Sequence, residues 1–434
     1  MSLSTSQDPL HRKFAANIPR YFIYTALKGF GFGLLGAMWV IFLTQQRGLS
    51  LAQASFVDVM FFVAAAFGEV PTGMVADSFG RKISLIAGSI LLNAGILGWT
   101  FAPTLPFIML SYFGMGIGYT FLSGAEDALF YESVQLAGRA DDYTRLVGKA
   151  GAIMLGALAV GSAASGLLAS LNLVMPMLVC DLSLLVMLGI VLTLKEPQTE
   201  EGSNGPARKS FGAILRRSLT LMRARPTLLY PMIYLALVPI ASFITETLFL
   251  QPQAQLLGVP LAGIGFLVMV AQFTDMLGSN WSDRFKALYG EERLITITPA
   301  IILASLIVLA AFQKLPVLIF IAVIGFLTSV IRPSLLNRIQ NEVSDEVRGT
   351  IISMISLMNT VIAAISQPTL GFVADQSGFP AAYLGFAGGL GILFLFLFWK
   401  GHHYLLRSKM LRSDPTEVEA CSLTLMKDHP TRHL

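Results

Sequence analysis

The stretch GEVPTGMVADSFGRK, residues 68–82, ends a long apolar run with a glutamate, a proline, an aspartate and two cations. Charged residues are expected where a helix leaves a lipid bilayer, because only the part of the chain inside the hydrocarbon has to be apolar. The apolar run before the charges is long enough to cross a bilayer at 1.5 Å per residue. The stretch therefore predicts a membrane-spanning helix followed by a short charged loop.

The composition of the whole chain is that of a membrane protein. Of 434 residues, 54% are hydrophobic and only 13% are charged, whereas soluble domains carry about 25% charged residues. Apolar runs of about 20 residues recur along the chain and must be helical, because a backbone in lipid has to satisfy its own hydrogen bonds. We place twelve spans at 21–43, 51–76, 82–101, 106–136, 143–170, 173–194, 227–251, 258–282, 292–312, 315–340, 347–372 and 380–404.

The two halves of the chain carry similar motifs at corresponding places. Asp77-Ser-Phe follows span two and Asp283-Arg-Phe follows span eight, and an acid precedes each motif by the same interval, Glu69 and Asp275. Secondary transporters are often built from such internal repeats, with the binding site between the halves near mid-membrane. We predict an all-α membrane protein of twelve transmembrane helices in two pseudo-symmetric six-helix bundles.

The predicted domains follow from this duplication. Residues 1–195 form the N-terminal bundle, 196–225 a cytoplasmic linker, 226–404 the C-terminal bundle and 405–434 a cytoplasmic tail. The apolar residues of the linker fall on one helical stripe: Phe211, Ile214, Leu215, Leu219 and Met222. The stripe favours a basic amphipathic helix on the cytoplasmic leaflet, and the alternative is a solvated basic loop.

The distribution of cations predicts the orientation. Of 30 Lys and Arg residues, Lys28 and Arg332 fall deep inside spans, and Arg47 and Lys314 fall in loops on one side. The others lie in the tails, in alternate loops or in the span ends next to those loops. Because Lys and Arg are enriched in cytoplasmic loops, we expect a multi-pass protein of the plasma (inner) membrane with cytoplasmic termini. The pI of about 9.0 then reflects topology, and no nucleic-acid partner is expected.

The sequence contains no motif of enzyme chemistry. Cys180 falls in a span and Cys421 in the tail, so no disulfide is expected. The histidines lie at the termini or at the end of the last span: His11, His402, His403, His429 and His433. G-x-S-x-G, H-E-x-x-H and ATP-binding motifs are absent. We expect neither an enzyme nor a primary pump, and no cofactor or metal.

The segment GMVADSFGRK, Gly73 to Lys82, resembles the G-x-x-x-D-x-x-G-R-K signature of the major facilitator superfamily. It lies between spans two and three, where that family carries it. The twelve spans, the long loop after span six and Arg348–Gly349 also agree with the family. The resemblance covers nearly the whole chain. It implies a monomeric secondary transporter whose two bundles rock around a central site.

The resemblance also implies a gate made of five signature residues, Gly73, Asp77, Gly80, Arg81 and Lys82. The two glycines permit close helix approach and a tight turn. Asp77 would face the N-terminal end of span eleven, whose dipole favours an anion, and Arg81 and Lys82 would pair with acids at the end of span four, with Glu132 as candidate. These contacts would form a lock that holds the cytoplasmic side closed in the outward-open state. The lock would break in the inward-open state. The alternative role is a plain topological anchor.

Two departures weaken an antiporter assignment. Antiporters of this family often carry an arginine in span four, where this chain has the glycines of GMGIG, Gly114 to Gly118. They also carry a proline motif in span five, which is absent here. A stripe of small residues remains in span five and suits tight packing against the other half: Gly148, Ala152, Gly156, Ala159, Ala163 and Gly166.

Several ionisable side chains lie inside the spans, about 10–12 Å from the cytoplasmic helix ends at 1.5 Å per residue. The proton-coupling candidates are Glu69, Glu126, Asp127 and Asp275. The candidates for substrate or cavity contacts are Lys28, Glu246, Gln272, Arg332 and Asn337. A charge at a helix centre costs about 2.5–3.5 kcal/mol, so each needs a partner or a water-filled cavity.

Ionisable side chains at similar depth in the membrane are expected to be partners of one another. We expect Glu69 either to pair with Lys28 or to exchange a proton, and the surplus of acids in the first half favours titration of at least one. Asp275 and Arg332 should pair directly or through water. Glu246, near the outer end of span seven, should be in contact with water.

The preferred function is proton-coupled efflux of a lipophilic or amphiphilic small molecule by alternating access. The alternatives are proton-coupled uptake of a small polar or anionic solute, a non-transporting receptor of the same fold and, weakest, a polytopic enzyme. The expected partners are the small-molecule substrate, protons and the lipid bilayer.

Overall fold

The computed structural model describes residues 9–197, 226–341, 343 and 345–406. All regular structure in these ranges is helical. The predicted linker helix at 211–222 and the C-terminal tail with Cys421 lie outside the described residues.

The first half contains spans one to six, preceded by the short helix Pro9–Ala15. Their bounds are Asn17–Ile41 with a π-helical turn Phe42–Gln46 for span one, Leu51–Phe79 for two, Arg81–Phe101 for three, Leu105–Leu122 and Ala125–Leu136 for four, Tyr143–Leu171 for five and Met175–Thr193 for six. A 3-10 turn, Ala140–Asp142, precedes span five.

The second half repeats this plan. Span seven comprises Pro226–Ile244, a π-helical turn Thr245–Phe249 and Leu250–Leu256; span eight is Leu261–Tyr289, nine is Glu291–Ala311, and ten is Ile319–Asn341 after a 3-10 turn Leu315–Leu318. The helix Asp345–Leu406 contains spans eleven and twelve, because Gly378 adopts φ 80° and breaks it. Eleven long apolar helices thus provide twelve spans, and the predicted fold class is confirmed.

Left-handed glycines form the short loops at corresponding places in the two halves. Gly80 (φ 103°) joins spans two and three, and Gly290 (φ 78°) joins spans eight and nine. Glycine adopts such φ values without the steric cost of a Cβ. We call the end of the molecule that carries these two loops the signature face, and the end that carries residues 47–50, 257–260 and Gly378 the opposite face.

The two halves contact each other on the opposite face and in the middle of the spans. Span five packs on span eight, and span two packs on span eleven. A Cβ on Gly166 would overlap the carbonyl of Leu261, so these two helices touch through their backbones. Nearer the middle, Ser162 donates a hydrogen bond to the Gln272 side chain at 3.0 Å.

Towards the signature face the halves diverge. A Cβ on Gly148 or on Gly156 would have no neighbour within 4 Å. Five ion pairs at this face each join two residues of one half. At Gly166 the small-residue stripe of span five therefore packs directly on the second half, while at Gly148 and Gly156 no described residue comes close. The molecule is closed at the opposite face.

Candidate functional site

The carboxyl groups of Glu246 and Asp275 lie within hydrogen-bond reach of each other between spans seven and eight. Glu246 belongs to the π-helical turn of span seven. Such turns often occur at functional sites. One oxygen of each group, Glu246 Oε1 and Asp275 Oδ1, is buried and receives no hydrogen bond from a donor in the described part of the chain. Because neither carboxylate is a donor, a hydrogen bond between them requires a proton.

Gly325 of span ten makes room for this carboxyl pair. A Cβ at Gly325 would overlap both Glu246 Oε1 and Asp275 Oδ1. Glu246 is half-buried and lines a cavity, so its expected contact with water stays a prediction. The π-helical turn and the missing side chain at Gly325 let its carboxyl group reach Asp275.

The carboxyl pair forms part of the wall of a cavity of about 240 Å³. The other lining residues are Pro239, Ser242, Phe243, Thr247, Thr328, Ser329 and Arg332. Arg332 is exposed and forms no ion pair with any described residue. The direct pair expected between Asp275 and Arg332 is thus absent, because Asp275 faces Glu246. The cavity joins a carboxyl pair, a guanidinium group and several hydroxyl groups.

An aromatic series connects this cavity to the first half. The Phe243 ring lies 5.8 Å from that of Phe62, which contacts Phe61. Phe61 contacts Tyr119 of span four at 5.5 Å, and Tyr119 contacts Phe32 of span one at 6.1 Å. Aromatic side chains thus extend from Phe243 in the cavity wall towards the first half.

A second polar cluster lies in the first half, where span four is interrupted. Gly124 adopts φ 74°, and a new helix starts at Ala125. Glu126 and Asp127 therefore lie in the first turn of a helix, where its dipole stabilises negative charge. Interrupted helices that place a half-helix terminus near mid-membrane are typical of transporter sites.

Lys28 pairs with Glu126, and the expected pair with Glu69 is wrong. Lys28 Nζ lies 2.5 Å from Glu126 Oε1, and Tyr24 donates its hydroxyl to the same carboxylate at 2.6 Å. Glu69 is exposed. Its neighbour Gly68 faces Thr120 of span four, and successive residues of a helix do not share a face.

Asp127 has a weaker partner than Glu126. The Tyr21 hydroxyl donates to Asp127 Oδ1 at 3.4 Å. A role in proton coupling for Glu69, Glu126 or Asp127 stays a prediction.

The signature loop has the predicted Arg81 contact. Arg81 lies 3.5 Å from Glu132 and 2.6 Å from Asp77. Lys82 Nζ donates instead to the carbonyl of Leu192, so its expected pairing with an acid of span four is wrong.

The N-terminus of span three is capped from the end of span six. Glu196 accepts the backbone N–H groups of Arg81 and Lys82 at 2.7 Å each. Asp77, with 55% of its side chain exposed, contacts Arg81, and its expected contact with the start of span eleven stays a prediction.

Two cavity candidates lie elsewhere. Gln272 accepts the hydrogen bond of Ser162 across the two halves. Asn337 is exposed and does not line the cavity. In the described ranges no cluster of His, Cys, Asp or Glu has metal-ligand geometry.

Sequence reasoning missed three polar residues of the spans. Asp58 interrupts the apolar segment SFVDVMFF of span two, and Asp181 is buried in span six. Gln367 of span eleven is fully buried. The signal was present, since a lone acid within an apolar run is costly and is a functional-site candidate by default.

Comparisons with known proteins agree with the fold and the signature. The model of the Major Facilitator Superfamily matches residues 21–366 and 276–430. A curated relative, described as the uncharacterised MFS-type transporter YxaM of Bacillus subtilis (strain 168), is 25% identical over 386 residues, 84% of this chain and 91% of the relative.

Solved structures share the same fold. The nucleoside transporter NupG matches with a TM-score of 0.71 at 15% identity, over 88% of this chain and 98% of that chain. A D-xylose-proton symporter matches with a TM-score of 0.69 at 13% identity, over 89% and 98%. The family implied by the signature is thus confirmed, and the protein is a transport protein and not an enzyme. The chain belongs to the Major Facilitator Superfamily and is a secondary membrane transporter.

Proposed function

We propose that the protein is a proton-coupled symporter for a small solute that carries an anionic group. The observation that supports this proposal is the contact between Glu246 and Asp275 in the wall of a cavity that also contains Arg332, which has no ion-pair partner among the described residues. Two ionised carboxylates in contact would repel each other and attract the guanidinium group. With a proton on the pair, Arg332 can bind an anion. Binding of the proton and binding of the anion thus favour each other, which is the requirement of symport.

The solute should also have an apolar part. Phe243 lines the cavity and begins the aromatic series that continues with Phe62, so part of the cavity surroundings is apolar. The solved symporter of D-xylose and protons shows that the same fold supports such coupling in another protein. The second candidate is proton-coupled efflux of an amphiphilic compound, which the aromatic wall would also accommodate.

We also propose that the protein acts as a monomer and has a defined orientation in the membrane. We propose that the signature face lies in the cytoplasm of a plasma-membrane protein, because Lys and Arg are enriched in cytoplasmic loops. The conformation described above is then closed to the outside, and an inward proton gradient would drive uptake. The domain bounds proposed from the sequence, 1–195 and 226–404, correspond to the two halves that rock against each other.

The test uses proteoliposomes that contain a pH indicator. Small carboxylates such as benzoate and gluconate, and the lipophilic cation ethidium, are added outside, and the lumenal pH is followed. Symport predicts lumenal acidification with a carboxylate, which Glu246→Gln abolishes and Arg332→Gln shifts to higher carboxylate concentrations. Proton movement that is driven by ethidium and is unaffected by Arg332→Gln would establish the efflux alternative instead.

A further inference from the structure

The contact between spans two and eleven closes the opposite face through one stripe of each helix. Asp375 accepts the backbone N–H groups of Leu51 and Ala52 at 2.9 and 2.8 Å. One turn earlier in span eleven, Gly371 packs so closely that a Cβ would lie 2.9 Å from Ser55 Oγ. Helix residues four apart share a face. We call this stripe, with its partners on span two, the outer seam.

The next turn of the outer seam brings Gln367 towards Asp58. Gln367 approaches the Asp58 carboxylate from span eleven. Its side chain is fully buried, and neither amide atom has a hydrogen-bond partner among the described residues. Tyr112 of span four is near enough to interact electrostatically with Asp58. Asp58 itself forms no ion pair with any described residue.

Asp58 lies at nearly the same depth as Glu246. Phe62 of span two contacts Phe243 of span seven. Asp58 precedes Phe62 by four residues, and Glu246 follows Phe243 by three, so the acids are about 6 Å and about 4.5 Å nearer the opposite face than their phenylalanines. Both acids thus lie on the same side of this aromatic contact.

We propose that Asp58 is the proton-accepting group of the opposite face, an inference that rests on the proton coupling proposed above. When spans two and eleven separate, Asp58 takes a proton from water on that side. The neutral side chain then allows the outer seam to close over it. A carboxylate is far more stable in water than in a sealed apolar interface. An ionised Asp58 therefore favours an open seam, and a protonated one favours a closed seam.

The test measures closure of the opposite face without a substrate. Gln45 and Gln255, from the two halves, are hydrogen-bonded at this face. Both are replaced by cysteine in a Cys180→Ala, Cys421→Ser background, and a short bifunctional thiosulfonate reagent reports closure by cross-linking. Reagent reactivity changes with pH, so each yield is normalised to single-cysteine labelling at the same pH. The parent yield should rise several-fold from about pH 8 to about pH 5, the range over which buried carboxyl groups titrate.

The variants isolate Asp58. Asp58→Asn should give a high yield that does not change with pH, and Asp58→Glu should restore the pH dependence. Asp375→Asn should lower the yield at every pH and keep the dependence. If Asp58→Asn retains the parent profile while the protein stays monodisperse, the proposal is overturned. Glu246→Gln separates the two proposals, because it should abolish proton-coupled transport but leave the pH dependence of closure unchanged.

Discussion

At the scale of single residues, charges inside the bilayer are stabilised by particular partners. Lys28 and Glu126 have only 10% and 15% of their side chains exposed, and Tyr24 adds a hydrogen bond to the same carboxylate. Removal of one member of a buried pair is costly because the other charge remains without compensation. The pair is therefore a structural element of the first half as well as a candidate for proton exchange.

Lys28→Met should lower the free energy of unfolding by about 3–5 kcal/mol, since it leaves Glu126 buried and charged. Lys28→Met combined with Glu126→Gln should recover much of this loss. Thermal unfolding of the detergent-solubilised protein measures both. Glu69→Gln is the matched control, because Glu69 is exposed and its replacement should leave stability almost unchanged. A strong effect of Glu69→Gln with none of Lys28→Met would contradict the observed pairing.

Gly325→Ala should impair transport through the carboxyl pair. The new methyl group would overlap Glu246 Oε1 and Asp275 Oδ1, and overpacking of this kind costs about 1–3 kcal/mol. Gly385→Ala is the control, because a Cβ there has no neighbour within 4 Å. Proton flux in proteoliposomes and thermal stability should both fall for the first variant and not for the second. Normal flux in Gly325→Ala would show that the carboxyl pair tolerates displacement.

At the scale of helices, interruptions place the polar groups. Span four stops at Leu122 and restarts at Ala125, so two acids gain a helix N-terminus. Spans one and seven each contain a π-helical turn, Phe42–Gln46 and Thr245–Phe249, at corresponding places of the two halves. These turns shift the register of side chains, and in span seven the shift directs Glu246 inward. The internal duplication therefore extends to the irregularities of the helices.

Replacement of Gly124 by alanine should destabilise the interruption of span four. The φ of 74° at Gly124 is unfavourable for an L side chain, at a cost of about 1–3 kcal/mol. Gly114→Ala in the same span should be neutral or stabilising by up to about 1 kcal/mol, because Gly114 is helical and has free space. Thermal unfolding of the two variants gives the comparison. Equal stability would mean that span four can continue through Gly124 as a regular helix.

At the scale of the whole molecule, two carboxylates at opposite ends act on the same rocking motion. Asp375 holds the N-terminus of span two at the closed opposite face. Asp77 contacts Arg81 at the open signature face. The gate inferred from the signature, in which the lock breaks when its side of the protein opens, stays a prediction.

The two aspartates should shift the conformational equilibrium in opposite directions. Asp375→Asn should reduce closure of the opposite face, and Asp77→Asn should increase it. Each substitution removes a negative charge that should stabilise a helix N-terminus. Such a charge contributes about 0.3–1 kcal/mol, which corresponds to a two- to five-fold change in the ratio of the two conformations. Cross-linking between cysteines at positions 45 and 255 measures both. Asp77→Asn should also slow turnover and leave solute binding largely intact. Shifts in the same direction would remove the gating assignment.

The order of residues along the chain was enough to determine the twelve spans, the duplication, the family signature and the contact of Arg81 with Glu132. These features depend on local hydropathy and on short motifs, which a linear reading detects.

The pairing of acids and cations depended on the tertiary structure. Depth along a span is readable at 1.5 Å per residue, but the face a residue presents changes by about 100° with each position. A single π-helical turn or a left-handed glycine also changes the face that the following residues present. Lys28 therefore pairs with Glu126 instead of Glu69, and Asp275 contacts Glu246 instead of Arg332. Asp58 lies under the outer seam. In each case the rotation and interruption of the helices, and not depth, decide which charged groups touch.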